Sequence, residues 1–196
     1  MNKILISIKP EWTAKILNGE KTIEVRKTAP KCDLPCEVYI YCTRGDYLHH
    51  NKYGWFVTDK PITYIALNGR LAVRQEPFNG KVVLAFTLLR ADEFDMGNPY
   101  EEPTSSFLKK ACVTIGQART YANGKRRLYA WHISDLVIFD GPRELSEFVN
   151  KTKFDRLYNE LNDGVTHNEM TAYMTAKAES VIEKAPQSWC YVEVRE

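Results

Sequence analysis

Two periods run through the apolar positions of this chain. Lys3 to Ile8 is apolar and β-branched and predicts a first strand. Pro10 stands where a first helical residue would, and Gly19 where a helix would stop. Trp12 and Ile16, four apart, mark the inner face of a helix over 10–18. Lys21 to Val25 predicts the next strand. Glu37 to Cys42 predicts another, with Val38, Ile40 and Cys42 on one side. The stretch 43–75 is broken by Gly45, Gly54, Pro61 and Gly69; it predicts loops with one or two short strands, among them 62–67. Asn79-Gly80 is a turn signal that launches Lys81 to Leu89, whose run Val82-Val83-Leu84-Ala85-Phe86 suits a strand buried on both faces.

Beyond residue 90 the pattern changes. Asp92 to Pro103 predicts an acidic loop. Thr104 and Thr114 are placed to cap two helices, the second ending at Asn123-Gly124. Leu128–Ile133 and Leu136–Phe139 predict two strands separated by Ser134-Asp135, and Pro142 predicts the opening of a further helix. Phe154, Leu157, Tyr158 and Leu161 have helical spacing. Thr166-His167-Asn168-Glu169 reads as a capping box, followed by a face of Met170, Tyr173, Met174, Ala178 and Val181 expected in the core. Ser188 to Val194 predicts a last strand. Strands dominate the first 140 residues, so the expected fold is α+β, a single domain over 1–196. The architecture expected is a small mixed or antiparallel β-barrel with short flanking helices and a helical insertion over 151–184.

The chain has 196 residues, 44% of them hydrophobic and 27% charged, which excludes wholesale disorder. No apolar run is long enough for a membrane helix, and the first apolar stretch is cut short by Lys9-Pro10-Glu11, unlike a signal peptide. Five cysteines (32, 36, 42, 112 and 190) at irregular spacing suit reduced thiols in the cytoplasm. Cys32 and Cys36 have no second pair, and His49-His50 has no partner ligands at metal spacing, so no metal and no cofactor is expected; His49-His50 reads as an exposed loop. No nucleotide-binding glycine loop, nucleophile elbow or zincin helix occurs.

Net charge is only +2, but its distribution is uneven. Lys109, Lys110, Arg119, Lys125, Arg126 and Arg127 fall within 104–132, where no acidic residue occurs, together with Phe107, Tyr121, Tyr129 and Trp131. Just before it, 92–102 holds five acids and no base. Cations for phosphates and rings for bases suit a nucleic-acid surface; a solvated basic face over core aromatics gives the same pattern. The segment Gly19-Glu20-Lys21-Thr22-Ile23-Glu24-Val25-Arg26 is the second candidate. Thr22, Glu24 and Arg26 share one strand face by parity. They belong to a solvated face with cross-strand ion pairs, or with Lys21 they line a cavity for a polar or anionic ligand. Tyr129 and Trp131 share a face and, with Trp189, are either core or stacking surfaces.

Gly19, Lys21, Thr22 and Arg26 resemble the Gly-x-Lys-Thr signature and following strand of the ASCH domain family, within the PUA-like β-barrels. Ser7-Ile8-Lys9-Pro10, 38–43, 79–83 and 129–136 look similar to the same family, and 185–193 looks like its bacterial and phage-borne members. The resemblance implies a PUA-like barrel with a pocket beside Gly19–Arg26, and binding of RNA or action on RNA-derived nucleotides. RNA is therefore the expected partner, with single-stranded DNA or a modified nucleotide as alternatives, and no membrane. One branch hydrolyses 4-acetylcytidine with a Lys, a Thr three residues on and a distant Glu. Lys21 matches that Lys, but Glu24 stands where the Thr would be. A carboxylate does not replace a hydroxyl nucleophile, so catalysis here would use Lys21 as stabiliser and Glu24 as general base on water. A third reading makes the 151–184 helices a protein-docking arm.

Overall fold

The computed structural model describes residues 1–65, 72–74, 78–162 and 168–195. Its main element is a seven-stranded mixed sheet ordered β10-β11-β1-β3-β8-β9-β2. In chain order these are β1 (Lys3–Ile8), β2 (Ile23–Arg26), β3 (Cys36–Cys42), β8 (Val82–Asp95), β9 (Arg127–Arg143), β10 (Phe148–Asn150) and β11 (Trp189–Val194). β1 and β3 run parallel, and every other pairing in this sheet is antiparallel. Two small hairpins stand apart: β4 (Tyr47–Asn51) with β5 (Gly54–Thr58), and β6 (Thr63–Ile65) with β7 (Ala72–Arg74). The helices are α1 (Pro10–Leu17), α2 (Thr104–Lys110), α3 (Ile115–Ala122), α4 (Lys151–Leu161) and α5 (Glu169–Glu179).

The expected α+β class holds. Backbone pairing leaves β2 and β10 as the two ends of the sheet. The β2 end nevertheless curls back toward β1, because Arg26 of β2 donates to the carbonyls of Ser7 (2.9 Å) and Ser188 (3.4 Å). Three apolar clusters result. Inside the curl, Ile4, Ile6, Val38, Ile40, Leu84, Phe86 and Trp131 pack with α1. On the outer side of the β2 end, Ile23 and Val25 pack with Phe94 and with Phe107, Leu108 and Ala118 of α2 and α3. At the other end, Leu5, Tyr39, Phe148, Ile182 and Val192 form the third.

Several local expectations are corrected. β8 runs on through Asp92–Asp95 instead of ending in an acidic loop, since these residues pair with 127–130 of β9. The two strands expected around Ser134-Asp135 are one strand, which absorbs the break by a register shift and a positive φ of 47° at Asp135. Pro142 lies in β9, and only a 3-10 turn (Leu145–Glu147) follows. Thr104 is the first residue of α2, its hydroxyl spent on the carbonyl of Asp95 (2.9 Å). Thr114 does cap α3, in a reciprocal box with Gln117, and Asn123 closes that helix in the left-handed region.

His49 is not in an exposed loop but fully buried on β4, beside the rings of Tyr47 and Phe56. The hairpin that carries it is tied to the end of α1, where the Asn18 side chain bonds the backbone N–H and carbonyl of Trp55. Gly54 turns that corner at φ +121°, and a Cβ there would meet the Asn18 amide oxygen at 2.9 Å. The expected strand 62–67 is described only to residue 65; Thr166 and His167 also lie outside the described residues, and α5 is capped by Asn168, whose side chain accepts from the Thr171 N–H. Its buried face is Ala172 and Ala176. Met170 and Met174 are mostly exposed and Tyr173 partly so, contrary to the core stripe expected. Tyr173 leans edge-on against Phe154 and Tyr158 of α4, with ring centroids 5.5 and 6.4 Å away.

Candidate functional site

α1 ends on Asn18 and Gly19, and Gly19 takes φ +74°, which reverses the chain at once. The backbone N–H groups of Glu20 and Lys21 both return to the carbonyl of Lys15, and β2 begins two residues later. The turn sends the Lys21 side chain under the Trp12 ring, 5.6 Å from its centroid. Its ammonium donates to the carbonyl of Ala111 (2.8 Å) at the C-terminal end of α2, where the helix dipole favours a cation. Thr22 holds the same junction, its backbone N–H on the carbonyl of Lys110 and its carbonyl taking the N–H of Ile133.

Strand parity then does what the sequence suggests. Ile23 and Val25 join the outer cluster, and Glu24 and Arg26 face the curl, opposite Trp131 and Tyr129 of β9. Glu24 is held between two cations: one oxygen is 3.2 Å from Lys21 Nζ, the other 3.0 Å from Arg26 Nε. All three side chains are buried, at 3%, 8% and 5% exposure for Lys21, Glu24 and Arg26. The set carries one carboxylate against two basic side chains in a water-poor place. Arg26 Nε, though close to the carboxylate, is not aligned on it and has no hydrogen-bond acceptor. Thr22 is exposed and stands outside this network.

The sequence reading missed Tyr121 as a site residue. It stands on α3 with 38% of its surface exposed, Lys27 Nζ 5.1 Å from its ring centroid, and its hydroxyl within the electrostatic reach of Arg26 and Glu24. Burial of the hydroxyl pushes its pKa above the ordinary phenol value; the Arg26 charge opposes this and the Glu24 charge adds to it. Tyr121 was visible in sequence only as one aromatic among basic residues. What joins it to Arg26 is the packing of α3 on β2, a long-range contact.

The other aromatic candidates divide. Trp131 has no exposed surface, and its indole N–H donates to the carbonyl of Thr28 (3.1 Å), so it is core. Trp189 is half-buried, bonded through its indole N–H to the Thr28 hydroxyl and edge-on to Trp131. Tyr129 is half-buried, its hydroxyl donating to Glu93 at 2.8 Å. His132 is paired with Asp92 at 2.9 Å.

The six cations of the basic segment also divide. Arg126 makes a two-pronged pair with Asp95, and Arg127 a pair with Glu93 at 3.0 Å. The acidic stretch before the basic one is therefore its cross-strand partner. Lys109, Lys110, Arg119 and Lys125 are exposed and have no acidic partner among the described residues. Two clefts, of about 560 and 450 Å3, lie elsewhere; neither is lined by Lys21, Glu24 or Arg26. Among the described residues no helix is long and apolar enough to cross a membrane, and no metal-binding group of His, Cys, Asp or Glu occurs.

No family model and no curated protein matches the chain. Solved structures do. An ASCH protein from Zymomonas mobilis is similar at 17% identity over 97% of this chain and 87% of its own, with a TM-score of 0.53. A single-substitution variant of it is similar at 18% identity over 98% and 91%, also at 0.53. At such identity the likeness concerns the fold: this chain has the fold of an ASCH protein.

Proposed function

We propose that the chain is a nucleic-acid-binding module, with RNA as its partner, that engages phosphates through the α2–α3 surface and a base or nucleotide at Lys21, Glu24, Arg26 and Tyr121. The observation that carries this reading is the unpaired charge of Lys109, Lys110, Arg119 and Lys125, on a surface whose arginine neighbours are neutralised. Cations without partners lose little on meeting phosphates, and counterion release supplies the free energy. The same helices lean on β2, so that surface continues into Tyr121 and the buried network. There the two basic side chains and the unaccepted Arg26 N–H suit an anionic or carbonyl group of the ligand, and the half-exposed Tyr121 ring suits stacking. Thr22 at the rim and half-buried Trp189 and Tyr129 are the remaining ligand contacts proposed.

The test is fluorescence anisotropy with short single- and double-stranded RNA and DNA at low salt, with free nucleotides as competitors. Salt-dependent binding, tighter for RNA than for DNA of the same sequence, is expected. Absence of binding to every oligomer removes the reading.

A second reading rests on the contact of Lys21 with Glu24 at 3.2 Å. In a hydrolase acting on a modified nucleoside, Lys21 would stabilise the developing oxyanion and Glu24 would take a proton from water. Both Glu24 oxygens already face cations, so substrate would have to draw one cation away first. Glu24→Gln would then abolish turnover of 4-acetylcytidine; unchanged turnover in that variant rejects the role.

A further inference from the structure

We infer that Cys32 and Cys36 are an oxidisable thiol pair that closes to an intrachain disulfide, with Cys32 meeting the oxidant and Cys36 resolving it. Cys36 opens β3, has no exposed surface, and is fixed by its pairing with Leu88. Cys32 lies four residues earlier in the loop between β2 and β3. It is half-buried against the same core and lines the 560 Å3 cleft together with Lys3, Lys31 and Tyr191. Cys32 packs against the buried cluster that contains Cys36, close enough for each thiol to act on the other's proton. The Tyr191 hydroxyl closes the cluster, in contact with Cys32 and accepting the Lys31 backbone N–H at 2.7 Å.

The two partners have different access. Burial pushes the Cys36 thiol up to about 12, which keeps it protonated and unreactive toward solvent by itself. Cys32 faces a cleft wide enough for a small oxidant. The other cysteines lack such a neighbour among the described residues. Cys42 is fully buried, Cys190 is half-buried on β11, and the Cys112 thiol donates to the carbonyl of Glu20 at 3.3 Å. Closure asks the sulfurs to come together to about 2.05 Å. Cys32, on a loop, can supply that movement while Cys36 stays in its strand.

With hydrogen peroxide as oxidant the steps balance. The Cys32 thiolate attacks one peroxide oxygen, the O–O bond breaks, and a sulfenic acid and a water result. The Cys36 sulfur then attacks the Cys32 sulfur, gives up its proton, and the sulfenic hydroxyl leaves as the second water. Two thiols are oxidised and one peroxide is reduced.

The experiment treats the folded full chain with hydrogen peroxide, unfolds it, alkylates it and maps tryptic peptides by mass spectrometry. Residues 32–44 form one peptide holding Cys32, Cys36 and Cys42. The expected result is loss of two hydrogens from that peptide with a single alkyl group, on Cys42, fully reversed by dithiothreitol. The loss persists in Cys42→Ser and disappears in Cys32→Ser and Cys36→Ser. Localisation in the wild-type chain does not depend on how those variants fold. Oxidation of Cys32 to sulfinic acid with Cys36 still alkylated overturns the proposal. So does a disulfide through Cys42 or Cys190, or a peptide unchanged at peroxide levels that oxidise a model thiol.

Discussion

Lys21 and Arg26 flank the strand on which α2 and α3, the helices that carry Lys109, Lys110 and Arg119, are packed, yet the two groups hold their charge in opposite ways. The first pair is almost without solvent, bound to Glu24 and to main-chain carbonyls of Ser7, Ala111 and Ser188. The second group is exposed and without acidic partners among the described residues. A buried cation is held in place by its partners, and losing one of them leaves a desolvated charge behind. An exposed one is free to exchange its counterion for a ligand. Position along the chain does not separate the two kinds; partners do, as Arg126 and Arg127 make plain by spending their charge on Asp95 and Glu93.

Stability measurements by urea unfolding break the comparison most sharply. Arg26→Ala is expected to cost about 3–5 kcal/mol, because it strips a partner from the buried carboxylate and uncaps two main-chain carbonyls. Trp131→Ala, in the same interior, is expected to cost a similar 3–5 kcal/mol through reduced burial and cavity formation. By contrast, replacing Lys109, Lys110, Arg119 or Lys125 by Ala should change stability by only about 0.5 kcal/mol or less each. A destabilisation from any of these as large as that of Arg26→Ala would make them structural and end the distinction.

His49 offers a pH test at a distance from both groups. It is fully buried with neither ring nitrogen hydrogen-bonded, and burial lowers its proton affinity. The unfolded chain therefore binds the proton more tightly, so stability falls as pH drops through the ordinary imidazole value of about 6.5. His49→Phe should flatten that slope between neutral and mildly acidic pH. An unchanged slope would assign it to another group. A smaller effect, about 1 kcal/mol, is expected for Asn168→Ala, which removes the cap of α5.

Legibility in the sequence followed the range of the interactions. The turn at Gly19, the capping of α3 by Thr114 and the opposite facing of Ile23/Val25 and Glu24/Arg26 are local, and each is readable from spacing. The continuation of β8 through Asp92–Asp95 is not, because polar residues there are held by cross-strand partners some 35 residues away. The burial of His49 and the outward turn of Met170 and Met174 escape the pattern for the same reason: a single apolar or polar pattern cannot say what covers it. The network is half legible. Its residues stand out as a set, but whether they line an open cavity or pair with one another depends on distances that the chain order does not contain.

The most direct test of the central claim compares the wild-type chain with the Lys109→Ala/Lys110→Ala/Arg119→Ala/Lys125→Ala variant in anisotropy titrations of single-stranded RNA across a salt series. If the α2–α3 surface meets the phosphates, the slope of log K against log salt becomes shallower by about 0.7 for each phosphate no longer neutralised, about 3 for all four, with unfolding unchanged. An identical slope and affinity in the variant would contradict the account.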